Sequence, residues 1–496
     1  MKGKQQIIVC IILTCLAMPC AAQSDEQVAG TTEYSIEFFG SAATDAYTPF
    51  WMVSNRFGVV PLEAGNGYMH AGAFHHQVYE NHVRWGAGLD VVASAPRQRN
   101  VYAQQLYAEI GYKFMHLFIG SKENYTSLWD KELSSGDLVQ SANARPIPEI
   151  NFSIPRFTAI PGLKGYLQFK ADFAVGRSFD TDYLRDFNQT IQGEYVEKVL
   201  WHHKSIHFRI LDVKNNFPLT LTLGLLHHVQ WGGVSTNPDY GVQPHSLKDF
   251  IRIVIGKSGG EDATASAQKN VLGNHYGSYI IKLGYLNPAF DIHFYIQHYF
   301  DDLSGIGLYN YVDNLYGLQL HLPHFPLVDK MVFEYLYTKD QSGPVHYIFY
   351  HHSQYPGYGG GNDDYYNNSE YRTGVSYFNR GLGTPLITSP EYNADGRLGF
   401  KNNRLMAWHI GINGFLSKQV SYRLLASNSE NWGTFDHPFL QTKKNFSAAV
   451  KITYCHPRLD GWLFSGEIAA DQGSLYKDQL GLSLRVKKTG ILKKGQ

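Results

Sequence analysis

The sequence predicts an all-β protein: a transmembrane antiparallel β-barrel of roughly 16–18 strands with a short helical insertion. Three observations point there. The chain starts like an exported protein, its composition suits a barrel wall, and long stretches alternate apolar and polar residues with period two.

The start comes first. Lys2 and Lys4 precede an apolar run from Ile7 to Met18, then Ala21 and Ala22, then the polar Gln23, Ser24, Asp25 and Glu26. This is the layout of a cleaved secretory signal over residues 1–22, leaving 23–496 as the barrel domain. The run falls short of the ~20 apolar residues a membrane helix needs. Cys20 raises the question of a lipid anchor, but Pro19 and Met18 before it argue against one. Cys10, Cys15 and Cys20 all lie in this leader, so Cys455 is the single cysteine of the mature chain. No intrachain disulfide and no cysteine metal site follow from that.

Composition narrows the class. Lys+Arg and Asp+Glu are both 43, and the formal net charge is zero. No polybasic footprint for nucleic acid is present. Charged residues make up 17%, below the ~25% of ordinary soluble domains. Tyr (34), Phe (29) and Gly (48) are abundant, as aromatic girdles and tight turns require. A secreted β-sandwich or propeller shares this composition, so composition alone does not decide.

Periodicity separates the two. Leu163, Leu167, Phe169, Ala171, Phe173 and Val175 share one parity, and Lys164, Tyr166, Gln168, Lys170 and Asp172 the other. That is a strand with one apolar face. The pattern recurs around Leu106–Phe114, Ile206–Ile210, Phe290–Phe300, Leu318–Leu322, Phe446–Tyr454 and Leu480–Val486. Several runs exceed ten residues. Soluble strands average ~5–6 residues and membrane strands need ~9–11, so length favours the barrel.

Two insertions interrupt the strands. Ser246 to Ile255 follows Pro244 and places Leu247, Phe250, Ile251 and Val254 at helical spacing. The helical insertion is expected over about 244–272, between Trp231-Gly232-Gly233 and Gly273-Asn274-His275. The second insertion, 355–368, is polar and glycine-rich, and a loop of that kind is usually functional.

Catalytic signatures are missing: the sequence contains no HExxH, no GxSxG elbow and no P-loop. Of the 22 histidines, eight fall in adjacent pairs, such as His202-His203 and His227-His228. Neighbours on a strand face opposite ways, so no metal site is expected. The doublets Asp301-Asp302 and Asp363-Asp364 read as solvated loop acids rather than a glycosidase pair. Aromatic residues beside Asn, Asp and Gly suit a sugar, whose C–H faces lie on rings while its hydroxyls bind polar groups. The candidate ligand contacts are Trp231, Tyr240, His275, Tyr355, Tyr358, Asp363, Asp364, Tyr365, Tyr366 and Trp432. The competing reading of such rings is an aromatic girdle.

The ordered motifs resemble a known family. They are Pro49-Phe50-Trp51 with Asn55-Arg56-Phe57-Gly58, Gln230-Trp231-Gly232-Gly233, Gly273-Asn274-His275-Tyr276-Gly277-Ser278, Asp364-Tyr365-Tyr366-Asn367-Asn368 and Gly381-Leu382-Gly383-Thr384-Pro385-Leu386. Together they resemble the Wzi-type capsule assembly proteins, in particular those of Bacteroidetes-like bacteria. The resemblance implies a non-enzymatic outer-membrane barrel without cofactors that binds capsular polysaccharide. It also implies contact with outer-membrane lipid and, as a further partner, the capsule export machinery. Where that family carries a helical element near its N-terminus, Tyr34–Phe39 reads as strand here, and any helical plug is expected from 246–272. The alternatives are a channel or transporter for glycans or nutrients, and a surface glycan hydrolase.

Overall fold

The computed structural model describes residues 29–494, apart from 97–100, 126, 213, 215–216, 265–266, 269–270 and 344–360. The expected leader and the candidates Tyr355 and Tyr358 lie outside the described residues. The strands are β1 (Ala29–Ala43), β2 (Asn66–Val78), β3 (Val83–Ala95), β4 (Val101–Tyr112), β5 (Met115–Ser121) and β6 (Glu149–Ala159). Then come β7 (Leu167–Arg177), β8 (Leu200–Leu211), β9 (Leu219–Trp231), β10 (Asn274–Asn287), β11 (Phe290–Phe300) and β12 (Asn314–His321). The last six are β13 (Lys330–Tyr337), β14 (Arg404–Phe415), β15 (Val420–Gly433), β16 (Pro438–Cys455), β17 (Trp462–Gly473) and β18 (Gln479–Lys494). Each pairs antiparallel with its neighbour in sequence, and β1 pairs with β18 from Thr31↔Lys494 to Ala43↔Gly481. The 18-stranded sheet therefore closes on itself and leaves no edge.

The apolar parity faces outward. Leu106, Ile110 and Tyr112 on β4, Ile206, Phe208 and Ile210 on β8, and Leu480, Leu482 and Leu484 on β18 are exposed. Residues of the other parity, such as Tyr107, His207 and Ser483, are buried. Rows of bare aliphatic side chains would be costly in water, at ~25 cal/mol per Å². Against lipid they carry no such cost, and the closed sheet satisfies the backbone.

The two ends differ. At one, the connections are tight, as in Lys113–Phe114 between β4 and β5 and Pro288–Ala289 between β10 and β11. Lys113 takes φ 52° to close its turn. At the other end lie the long excursions 44–65, 122–148, 178–199, 232–273 and 338–403.

Three of these excursions fold back into the barrel and fill it. The first carries the short helix α1 (Phe50–Val53). Trp51, Leu133, Leu138, Tyr365 and Tyr366 from the loops pack with Tyr276, Tyr295, Tyr299 and Leu315 from the wall in one buried cluster. Trp129 stacks on Tyr295 with centroids 4.0 Å apart. Gly411 lets the loop press against β14, since a Cβ there would stand 2.3 Å from the Leu133 carbonyl oxygen.

The helical insertion takes a different place from the expected plug. A second helix, α2 (Thr181–Phe187), lies in the 178–199 excursion, and α3 (Leu247–Val254) lies in 232–273. Ser246 and Asp249 close a capping box at the start of α3. Ile253 packs with Val229 and Trp231, and Phe250 meets Phe173 and Trp231 at 6.2 and 5.6 Å. Those wall residues share the outward parity, so α3 lies against the outside of the barrel. The reason is local: His202, Lys204, His227 and His275 interrupt the apolar outer face there. The insertion covers them, with Lys204 donating to the Val254 carbonyl at the C-terminal end of α3.

Candidate functional site

A cleft of about 110 Å³ opens at the long-loop end. Seven segments line it; Ser94 on β3 and Glu391 contribute a residue each, and five others supply the rest. Residues 58–61 follow α1, Tyr102 starts β4, Arg145 closes the 122–148 loop, and Asp182, Tyr183 and Asp186 come from α2. The fifth segment is a small hairpin in which Ser376–Tyr377 pairs with Arg380–Gly381. Its turn residues, Phe378 and Asn379, take φ 52° and 56°, the left-handed pair that a tight two-residue hairpin turn demands.

The cleft combines rings with charge. Arg145 lies between two rings, 3.9 Å from the Tyr102 centroid and 4.5 Å from that of Phe378. Tyr183 meets Phe378 edge-on at 5.4 Å. Asp182 and Asp186 are exposed at the mouth. The floor is a buried ion pair: Arg380 Nε stands 2.8 Å from Glu391 Oε1, and Arg380 also donates to the Val60 carbonyl at 2.9 Å. The cleft is open to solvent on one side, so a sugar ring can seat an edge in it while the rest of a glycan lies outside. Rings for C–H faces, a guanidinium donor and carboxylate acceptors for hydroxyls are the groups such a ligand uses.

The residues singled out from sequence do not gather there. Trp231 and His275 are buried on the outer wall beneath the insertion; His275 Nδ1 lies 2.9 Å from His227 Nε2. Tyr365 and Tyr366 are core residues of the plug: the Tyr365 hydroxyl donates to Asp313 at 2.8 Å, and that of Tyr366 to the Leu138 carbonyl. Asp364 accepts from Asn367 at 3.1 Å. Tyr240 is exposed on the insertion. Trp432, half-buried at the end of β15, has the Lys339 ammonium 4.1 Å above its ring. Tyr102, Arg145, Asp182, Asp186 and Phe378 carried no local signal in the sequence, since they come from four separate loops or elements.

Of the acidic doublets expected as solvated loop acids, Asp302 is exposed but the others are not. Asp363 is buried and accepts from Ser342 at 2.6 Å and Ser304 at 3.1 Å. One oxygen of Asp301 is buried with no hydrogen-bond partner among the described residues. Asp301, Asp302 and Asp363 bring carboxylate oxygens within 4.8 Å of one another, the single group among the described residues placed to hold a metal ion. Without a cation, protons relieve the repulsion. Burial, with the neighbouring acids adding to it, holds Asp301 and Asp363 well above the usual carboxylate range. Burial likewise pushes Asp313 up to about 7.

These shifts have a sign. Each group keeps its proton in the folded chain at a pH where the unfolded chain has lost it, so the folded state binds more protons. The penalty is absent below the ordinary range of ~4 and, for Asp313 and Asp363, complete above about 7. Amide exchange in 301–313 and 361–364, corrected for intrinsic rates, is therefore expected to show more opening at pH 8 than at pH 5. Asp363→Asn is expected to flatten that difference; an unchanged pH profile in the variant would assign it elsewhere.

Comparison with known proteins adds a family and a fold. The family model described as capsule assembly protein Wzi matches residues 91–385. A search of curated proteins returns no match. Among solved structures, the Wzi outer-membrane protein of Escherichia coli, described as a carbohydrate-binding β-barrel involved in group 1 capsule assembly, superposes with a TM-score of 0.56. It shares 12% identity, covering 91% of this chain and 83% of that one. OprD of Pseudomonas aeruginosa gives a TM-score of 0.49 at 10% identity, over 96% and 98% of the two chains. OccAB2 of Acinetobacter baumannii gives 0.49 at 9%, over 94% and 98%.

Proposed function

The chain belongs to the Wzi family of capsule assembly proteins and is a closed β-barrel of the outer membrane, and from that premise we propose that it binds surface polysaccharide without catalysis, through the cleft at its long-loop end. Outer-membrane barrels keep short turns on the periplasmic side and long loops outside. The cleft then faces the cell exterior, where capsule lies.

The observation that carries this reading is the cleft of rings and charges lying directly over a packed lumen. Trp51, Leu133, Tyr295 and Tyr365 are 0–1% exposed inside the barrel, which supports a binding surface over an open conduit. The carboxyls of Asp363 and Asp364 are bound by serine and asparagine side chains, which weighs against a glycosidase pair facing a substrate. Tyr240 and Trp432 are the two sequence candidates whose positions suit secondary contacts with a long polymer.

Capsular polysaccharide from the native host should bind the detergent-solubilised protein saturably. Tyr102→Ala and Phe378→Ala, which each remove a ring beside Arg145, are each expected to weaken binding about tenfold, or ~1.4 kcal/mol. Trp85→Ala on the outer wall serves as the control and should leave binding unchanged. Absence of binding by a folded, heat-modifiable barrel would remove the proposal.

A further inference from the structure

Beneath the plug the lumen opens again, toward the short-turn end, as a chamber of about 410 Å³. Its roof is Glu132 from the 122–148 loop, and its wall is the inner face of β14–β18 and β1. At ~30 Å³ per water, it has room for one or two sugar rings. Asn413, Ser421, Thr453 and Ser465 supply neutral hydrogen-bonding groups along the wall.

Register explains the charges. Arg423 on β15 sits directly opposite Lys451 on β16, and Lys451 directly opposite Glu467 on β17. All three share the inward parity. Like charges placed directly opposite destabilise a sheet, so packing alone does not favour Arg423 beside Lys451.

The acids nearby are already engaged. Glu467 takes Arg56 at 2.8 Å and Arg423 at 3.1 Å. Glu37 takes Arg485 at 3.4 Å and Lys487 at 3.9 Å, and also accepts the Tyr68 hydroxyl at 2.6 Å. Among the described residues the Lys451 ammonium makes no ion pair and no hydrogen bond. Two further acids line the chamber: Glu132 in the roof, which is exposed, and Asp329, which lies 3.6 Å from His321. An adjoining cavity of about 370 Å³ adds Lys282 and Lys330, with Asp130 3.4 Å from Lys330. The excess is cationic, and low-dielectric walls focus such a field on the enclosed water.

We propose that this chamber is an anion-binding site open to the periplasm, one that takes a carboxylate or phosphate group carried on a hydroxylated body such as an acidic sugar unit. Lys451 is its central donor, with Arg423 and Arg485 flanking. The site is separate from the outer cleft and stands whether or not that cleft binds polysaccharide.

Calorimetry on the full chain in a non-ionic, sugar-free detergent tests it, with glucuronate, inorganic phosphate and glucose as probes. Saturable binding of glucuronate, phosphate or both is expected, weakening as salt rises, with no binding of glucose. Glucuronate alone would assign a carboxylated ligand and phosphate alone a phosphorylated one. Lys451→Met is expected to lower anion affinity at least tenfold while the thermal midpoint holds or rises, because repulsion with Arg423 is relieved. A merely structural lysine would lower the midpoint instead. Trp85→Ala, on the outer wall, should leave anion binding unchanged. Equal binding of glucose, no saturable anion binding, or anion binding untouched by Lys451→Met would each overturn the proposal.

Discussion

Replacing Glu334 with alanine is expected to turn a silent barrel into a conducting one. Glu334 sits on the inner face of β13 and is 1% exposed. One of its carboxylate oxygens accepts from Ser134 Oγ at 2.7 Å, and the other from the Ser135 amide at 2.7 Å. The Tyr295 hydroxyl donates to it as well. The alanine variant strands three buried donors, each costing ~1–3 kcal/mol. Those losses together are expected to loosen the 122–148 loop on its seat. Planar-bilayer recording is expected to show current steps in Glu334→Ala that the parent protein lacks. Glu334→Gln, which keeps the shape and one acceptor, should fall between the two.

A second anchor holds the same loop. Gln297 accepts from Trp129 Nε1 at 3.2 Å and from the Leu138 amide at 3.0 Å, and donates to Asp137 at 2.8 Å. The double variant Glu334→Ala/Gln297→Ala should conduct more than either single one. If the double variant remains silent, the 122–148 loop is not the seal.

The other large effect is expected at Arg380. This guanidinium is 4% exposed and joins three segments: Glu391 by an ion pair at 2.8 Å, the Val60 carbonyl at 2.9 Å and the Val53 carbonyl at 3.5 Å. Arg380→Met leaves the Glu391 carboxylate buried without its partner, a change that costs ~3–5 kcal/mol. The hairpin 376–381 and the 53–60 segment should loosen together, and polysaccharide binding should fall with them. Arg380→Met/Glu391→Leu removes both charges and is expected to recover most of the stability. It should not recover full binding, because the bonds to Val53 and Val60 stay lost. Limited proteolysis and polysaccharide titration of the three proteins check this. Equal loss of stability in the single and double variants would show that the ion pair is not what holds the cleft floor.

The motifs that carried the family resemblance turn out to be joints. Gln230 donates to the Gly374 carbonyl at 2.9 Å, Asn274 to Gln230 at 2.7 Å, and Asn368 to Asn274 at 3.2 Å. Arg56 reaches Glu467 on β17, and Thr384 reaches the Ser135 carbonyl at 3.0 Å. These residues tie loop to wall or loop to loop across most of the chain. Buried polar groups inside a barrel need such partners, and that requirement gives the motifs their fixed order. Their neighbours Trp231, Tyr365 and Tyr366 looked like sugar platforms because a ring beside Asn and Asp reads the same way whether it is core or contact.

Strand identity and the barrel class were legible in the sequence, because a period of two is a local property and strand length favoured a membrane barrel. That Leu480, Leu482 and Leu484 share one face is local, but that this face points outward was settled by closure of the sheet. Helix α3 was legible for the same reason, since the spacing of Leu247, Phe250, Ile251 and Val254 is local. Its location outside the wall was not, because that depends on polar residues from β8, β9 and β10 meeting on one face. The plug, the cleft and the chamber were decided by tertiary structure alone. Arg145 comes to Phe378 across more than two hundred residues, and Lys451 faces Arg423 only through register. Hydrogen bonding and ion pairing act over a few ångströms, and only the closed barrel brings those partners within that range.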